Sequence, residues 1–303
     1  MELMERPARL ALDEILVITE FPPWADSAVP YALELAREHD ARMQVTHAVP
    51  AGVFDSVKQK HRGVRIAGGG SVRALTCGQM VAKESEIACQ LQAVMESRHY
   101  DLVIASAGKP GEAELSEVAE ELLQAARCPM LLLGPRVLPG SLLRPAPATI
   151  LYATDFSPQA LAAAQHAFSW AQEYESWLTM LHVVEDLPSD AVQDRDRVEE
   201  PFRKWMAELV PQELHFWSEV EQRVMFGPAA PSIVSAAHEL HSDLVVMGLS
   251  GFESAGHTGP GKTTLEVVRQ AECPVLVVQE YMTKHALLQI GREQRSHAIA
   301  AAA

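Results

Sequence analysis

The chain has 303 residues, with 40 acidic against 25 basic side chains and a formal net charge of −15 at pH 7. Phosphate neutralisation on DNA or RNA needs clustered Lys and Arg, and none is evident; no apolar run approaches the roughly 18 residues of a membrane-spanning helix. Nucleic-acid and membrane partners are therefore not expected, whereas a small anion could still be held locally by backbone amides. The opening Met1-Glu-Leu-Met-Glu-Arg6 lacks a basic segment followed by an apolar core, so a cytoplasmic location is the expectation.

Residues 15–20 are a short β-branched run, and Ala28, Tyr31, Ala32, Leu35 and Ala36 fall at helical spacing within 25–39. A strand from Met43 to Val49 follows, then a stretch whose one clear feature is the loop Gly68-Gly-Gly70. The pattern is helical from Val81 to Glu96, apolar and strand-like from Leu102 to Ala105, helical again from Val118 to Ala126, and strand-like from Met130 to Leu133. Gly134-Pro135, Pro139-Gly140 and Pro145-Ala-Pro147 then interrupt every regular pattern, which marks a linker.

Beyond the linker the order repeats. A strand at 150–154 leads into an Ala-rich helix from Pro158 to Tyr174, with Ser157 as N-cap and Pro158 in the first turn, where its missing N–H costs nothing. Strand Leu178–Val184, a charged helix from Val192 to Leu209, strand Glu219–Met225, helix Ser232–His241, strand Leu244–Met247, helix Thr263–Ala271 and strand Val275–Val278 complete it. The run Asp194-Arg-Asp-Arg-Val-Glu-Glu200 reads as a solvated helix face.

The two halves match residue for residue at their landmarks. Ile15-Leu-Val-Ile-Thr-Glu-Phe21 corresponds to Ile150-Leu-Tyr-Ala-Thr-Asp-Phe156, and His47 and His182 each follow the opening Ile by 32 residues. Asp101-Leu-Val-Ile leads to Arg127-Cys-Pro-Met-Leu-Leu-Leu133, as Asp243-Leu-Val-Val leads to Glu272-Cys-Pro-Val-Leu-Val-Val278. A period of roughly 140 residues suits a duplicated domain and is too long for a solenoid. Alternation of strand and helix in each copy predicts a parallel sheet with helices on both faces. The expected units are 1–140, 147–281 and a tail at 282–303.

Ligands of such sheets bind beyond the carboxyl ends of the strands, where the strand order reverses. In the second half those positions hold Asp155, Val183 and Val184, and the segment from Gly248 to Thr264, with five glycines between 248 and 261. Glycines ahead of a helix let backbone amides approach a phosphate, and the helix N-terminus adds favourable partial charge. The plain alternative is a flexible surface loop.

At this point the second half resembles the universal stress protein family over almost its whole length. The resemblance rests on Tyr152-Ala-Thr-Asp-Phe-Ser157, Leu181-His-Val-Val184, the spacing G-x2-G-x9-G at Gly248, Gly251 and Gly261, and the ending Cys273-Pro-Val-Leu-Val277. It implies two tandem flavodoxin-like or Rossmann-like α/β domains of the adenine nucleotide alpha hydrolase type, each with a parallel five-stranded sheet. It also implies an ATP or related adenine-nucleotide ligand, with Mg2+ as a companion. Asp155 and the backbone at Val183 are implied for adenine and ribose, Met247, Gly248, Gly251, Gly261, Lys262 and Thr263 for the phosphates, and Ala153 for the nucleotide site as a whole. The terminal strands Met130–Leu133 and Val275–Val278 are implied to pair the two domains into a pseudo-dimer, with further homo-oligomers open.

Lys262 stands where the family carries Ser or Thr, and it completes a Walker-type string, Gly256-His-Thr-Gly-Pro-Gly-Lys-Thr263. A P-loop joins a strand directly to a helix, usually early in its domain, but this string begins eight positions beyond Gly248 and late in the second copy. The readings are therefore a stress or signalling protein with one competent nucleotide site, a P-loop-like ATPase, and a scaffold that binds no nucleotide. In the first half the frame persists without the site: Ser106, Lys109 and Glu117 align with Gly248, Gly251 and Lys262, and Glu20 aligns with Asp155. Glu112, Glu114 and Glu117 would oppose a phosphate there.

Other chemistry is sparse. No C-x-x-C pair or zinc spacing links Cys77, Cys89, Cys128 and Cys273. Cys128 and Cys273, each before Pro and a strand, read as small buried apolar residues; as redox sensors they would share no activating neighbour, since Arg127 and Glu272 precede them. His47 and His182 read as strand-end structural residues. His238 and His241 share a helix face without a third metal ligand, and no G-x-S-x-G motif is present, so no catalytic residue is assigned.

Overall fold

The structure, a computed structural model, describes residues 10–19, 27–50, 74–82, 93–95, 98–108, 114–125, 128–137, 145–185, 195–249 and 261–279. The first half runs β1 (Glu14–Thr19), α1 (Ala28–Glu38), β2 (Arg42–Pro50), β3 (Ala74–Ala82), β4 (Leu102–Ser106), α2 (Glu117–Ala125) and β5 (Met130–Leu133). The second runs β6 (Thr149–Thr154), α3 (Pro158–Tyr174), β7 (Trp177–Val184), α4 (Arg195–Leu209), a 3-10 turn at Gln212–Phe216, β8 (Val220–Phe226), α5 (Ala229–Glu239), β9 (Leu244–Gly248), α6 (Lys262–Gln270) and β10 (Val275–Val278). Among the described residues no helix is long and apolar enough to cross a membrane.

The ten strands of the described residues join one sheet in the order β3-β2-β1-β4-β5-β10-β9-β6-β7-β8. Pairing is parallel within each half and antiparallel only where β5 meets β10, with Val275 opposite Leu132 and Val277 opposite Met130. That junction is the one expected from Met130–Leu133 and Val275–Val278, and it buries two edges that would otherwise be open. The strands next to it are apolar throughout because helices cover both faces. One buried cluster joins Ile15, Val17, Leu131 and Leu133 to Ile150, Tyr152, Leu276 and Val278 under α1 and α3; the other joins Leu16, Val103 and Leu132 to Leu151, Val245 and Val277 under α2, α5 and α6.

Backbone bonding repeats as the sequence does. Asp101 Oδ2 accepts the amides of Asp13 and Glu14 at 2.8 and 2.9 Å, and Asp243 Oδ2 accepts those of Ala148 and Thr149 at 2.9 and 3.0 Å. Ala107 N donates to Leu133 O, and Leu249 N to Val278 O, both at 2.8 Å. Thr19 lies opposite His47 in the β1–β2 register, as Thr154 lies opposite His182 between β6 and β7.

Across the junction the halves interlock unequally. The carbonyl oxygen of Val268, in the last turn of α6, lies 1.9 Å from where a Cβ on Gly134 would sit. At the matching place Gln279 Nε2 donates to the Leu123 carbonyl, in the last turn of α2, at 3.1 Å. Each contact covers a carbonyl in a helix's final turn, where intrahelical partners run out. On the opposite face His39 Nε2 and Tyr174 Oη lie 2.7 Å apart, linking α1 to α3.

Three expectations change. Val81 belongs to β3 rather than to a helix; residues 93–95 are helical, and the remainder of 83–97 lies outside the described residues. β3 was illegible because Ala74-Leu-Thr-Cys-Gly-Gln-Met-Val-Ala82 has a central glycine and weak alternation; its register with β2, from Arg42–Ala74 to Pro50–Ala82, makes it a strand. Helix α5 starts at Ala229, three residues before Ser232, where Glu185, just past the end of β7, accepts the Ala229 amide at 3.0 Å. Cys273 is buried as expected, but Cys128 is only half-buried.

Candidate functional site

Strand order reverses between β9 and β6, where Met247 pairs with Ala153. At the carboxyl ends of these strands lies a cleft of about 150 Å³ lined by Ala153, Asp155, Val183, Met247, Gly248 and Thr263. Those six were named from sequence. Gly261 is the N-cap of α6, and Lys262 its first residue; Lys262 is exposed and is not among the lining residues. Gly251 lies outside the described residues, as do most of the Walker-type string, Glu20, Lys109 and Glu112.

The β6–α3 turn fixes Asp155 at the mouth. Asp155 Oδ1 accepts the Ser157 amide at 2.9 Å, and Ser157 Oγ accepts the Ala160 amide at 3.2 Å, so one residue closes the turn and the next caps the helix. Between them Phe156 has φ of 57°, costly for an aromatic residue. Its ring is held by His182, Phe202 and Trp205, with centroids 4.9, 6.2 and 5.7 Å away. His182 Nδ1–H donates to the Thr154 carbonyl at 2.8 Å, and burial lowers the imidazole's pKa, keeping it neutral. This gives His182 the structural role read from its place at a strand end.

Gly248 serves a purpose its phosphate reading did not contain. A Cβ there would lie 2.4–2.6 Å from the backbone of Gln159 and Ala160, so the bare Cα lets the first turn of α3 sit against the end of β9. Gly261 has φ −52° and ψ 124°, open to any residue. Its consequence is chemical: it offers no side chain to cap α6. In the first half the aligned residue is Ser116, whose Oγ accepts the Ala119 amide at 3.1 Å while its own N–H bonds the Ala107 carbonyl at 3.0 Å. The first-half helix start is thus capped by its own serine, whereas among the described residues the second-half one, beside the cleft, has no side-chain cap.

Sequence reasoning did not assign Thr154, Ala160, Leu181, Glu185, Ala229 and Ile233, which line the cleft together with Thr264 from the Gly248–Thr264 segment. Thr154, Leu181 and Glu185 were recoverable as strand-end neighbours of Asp155 and Val183; Ile233 enters from α5, whose placement no local pattern gives. Among the described residues no group of three His, Cys, Asp or Glu could hold a metal; His238 instead bonds Glu272 through Nδ1 at 3.1 Å. Burial pushes the Cys273 thiol up to about 12, so it carries no thiolate chemistry at neutral pH.

The sequence model of the universal stress protein family matches residues 148–279. A universal stress protein of Thermus aquaticus is 33% identical over 141 residues, covering 43% of this chain and 98% of that protein. Among solved structures, a putative universal stress protein from Pseudomonas aeruginosa is 21% identical and superposes with a TM-score of 0.59 over 89% of this chain and 94% of its own. A universal stress protein solved in complex with cAMP is 22% identical over 44% of this chain and 97% of its own, with a TM-score of 0.36.

Proposed function

The chain belongs to the universal stress protein family, and from that premise we propose that its second half binds an adenine nucleotide in the cleft at the β9–β6 switch. The proposal makes the chain a tandem protein of two universal stress protein domains, 1–140 and 147–281, with a tail at 282–303. One site is competent and the other degenerate, and the chain acts in a cytoplasmic stress response or signalling role. The observation that carries it is the pairing of a helix start without a side-chain cap, at Gly261, with a cleft at the strand reversal, against a closed, Ser116-capped helix start in the first half.

In this reading Ala153, Asp155 and Val183 face adenine and ribose. Amides at the start of α6, with Thr263 and the Gly248 end of β9, take the phosphates. A Mg2+ arriving with ATP would be held chiefly by phosphate oxygens. The P-loop alternative gives Lys262 a transition-state role. An exposed lysine outside the lining fits an auxiliary charge better. Calorimetry on the full chain with ATP, AMP and cAMP tests the proposal, alongside Asp155→Asn and Lys262→Ala. Saturable binding lost in Asp155→Asn and weakened about tenfold in Lys262→Ala is the expected pattern. Absence of binding by all three ligands would leave the scaffold reading. Rapid ATP turnover that disappears in Lys262→Ala would install the ATPase.

A further inference from the structure

A second, larger cavity of about 510 Å³ opens at the other end of the sheet, the amino ends of β9 and β10, between α5 and α6. Its floor is buried: Ala237, Ser242 and Cys273 are 5%, 8% and 3% exposed. Its rim carries His238, His241 and Glu272 from the second half and Arg136 from the segment after β5 of the first. The volume is in the range of small-molecule sites. It is separate from the nucleotide cleft and does not depend on that reading.

The floor contains an anomaly. Among the described residues Ser242 Oγ is buried without a hydrogen-bond partner, which costs free energy and calls for an explanation. The internal repeat sharpens it. Ser242 precedes Asp243 as Tyr100 precedes Asp101, and Tyr100 is buried with its hydroxyl donating to Gln44 Oε1 at 3.0 Å. Gln44 lies opposite Leu16 as Thr179 lies opposite Leu151, and Thr179 Oγ1 is likewise buried and unpartnered. Where the first half places a phenol and its acceptor, the second leaves two unsatisfied hydroxyls, one of them on the floor of a cavity.

The lining indicates what would fit. Val234 and Ala237 offer apolar wall, and Ser242 an unbonded hydroxyl beneath it, while the Ser235 hydroxyl is already donated to Glu239. Of the two carboxylates, Asp243 Oδ2 is taken by the Ala148 and Thr149 amides, and Glu272 Oε2 by His238 Nδ1. Arg136 supplies an exposed cation at the mouth; the carboxylate it faces, Glu266, is already paired with Arg269. We propose that this cavity is a second binding site, for a small organic acid whose compact apolar body reaches Ser242 and whose carboxylate or phosphate is held at Arg136. Because Arg136 comes from one half and the floor from the other, the ligand would bridge the junction.

The test uses the full chain with benzoate and phenyl phosphate as probes and benzyl alcohol as the uncharged control, followed by calorimetry and by protein NMR shifts. At least one anionic probe should bind saturably near or below about 1 mM, and the comparison between the two identifies the preferred oxyanion. Arg136→Gln should weaken it roughly tenfold or more. Ser242→Ala should weaken it too, yet raise the melting temperature without probe, because an unsatisfied hydroxyl is removed; a purely structural serine would do the reverse. ATP affinity should be unchanged in both variants. Failure of both anions to saturate, equal binding of benzyl alcohol, or a lowered melting temperature in Ser242→Ala would each overturn the assignment.

Discussion

Replacing Gly261 by aspartate should move stability and nucleotide binding in opposite directions. At φ −52° and ψ 124° the backbone accepts any residue, so no conformational strain is introduced. An Asp side chain can accept from the amides of the first turn of α6, which Gly261 leaves uncapped. The cap adds a few tenths of a kcal/mol over glycine, and the favourable dipole contact about 0.3–1 kcal/mol. At the specific unfolding entropy of globular proteins, a gain of about 1 kcal/mol in a chain of this length raises Tm by roughly 1–2 °C. A bound phosphate would meet that carboxylate at close range. One unit charge about 5 Å away at an effective dielectric near 20 costs about 3.3 kcal/mol, or roughly 200-fold in affinity, before the loss of the amides themselves. Differential scanning calorimetry and titration with ATP measure both quantities on one preparation. Binding within about threefold of the wild type, or a Tm lowered by several degrees, would refute the reasoning that the open α6 start holds phosphate.

Three further outcomes follow from the packing. Gly248→Ala puts a Cβ 2.4–2.6 Å from the Gln159 and Ala160 backbone, which cannot rotate away; a cost of about 2–3 kcal/mol should lower Tm by roughly 3–5 °C and weaken nucleotide, and an unchanged melt would contradict the close helix–strand approach. Gly134→Ala drives a Cβ to 1.9 Å from the Val268 carbonyl in the opposite half, so Tm should fall by roughly 5 °C although residue 134 is remote from the cleft; unaltered calorimetry would mean that the halves do not meet there. His182 and His166 both have pKa values lowered by burial from 6.5, so the unfolded chain binds more protons below that pH. Their contribution is intact above 6.5 and is lost as pH falls toward their folded values; thermal melts from pH 7.5 to 5.5 should therefore show falling Tm, with a shallower slope in His182→Gln, and a flat profile would exclude buried neutral imidazoles.

Local pattern decided much of this protein. The apolar runs at 15–19 and 150–154, the alternation of strand and helix, and the doubled Asp-Leu-Val and Cys-Pro landmarks give the class and the correspondence between the halves, because burial on both faces of a parallel strand leaves an apolar run that needs no distant partner to be read. Ser157 and Pro158 mark the start of α3 for the same reason: capping is settled within one helical turn. The topology rule then placed Asp155, Val183 and Gly248 at one cleft without any coordinates.

What sequence did not determine are contacts between residues far apart in the chain. That Gly248 accommodates α3, that Gly134 accommodates the end of α6, that Glu185 caps α5, and that Lys262 stands outside the cleft lining depend on how helices settle on the sheet. β3 became a strand only through its register with β2. Residues 242 and 100 occupy the same place in two copies of one motif, yet one is an unpartnered serine beside a cavity and the other a bonded tyrosine. A periodicity records which side of an element is buried, but not what lies against it; close-packed interiors fix that partner by shape, and shape exists only once the chain has folded.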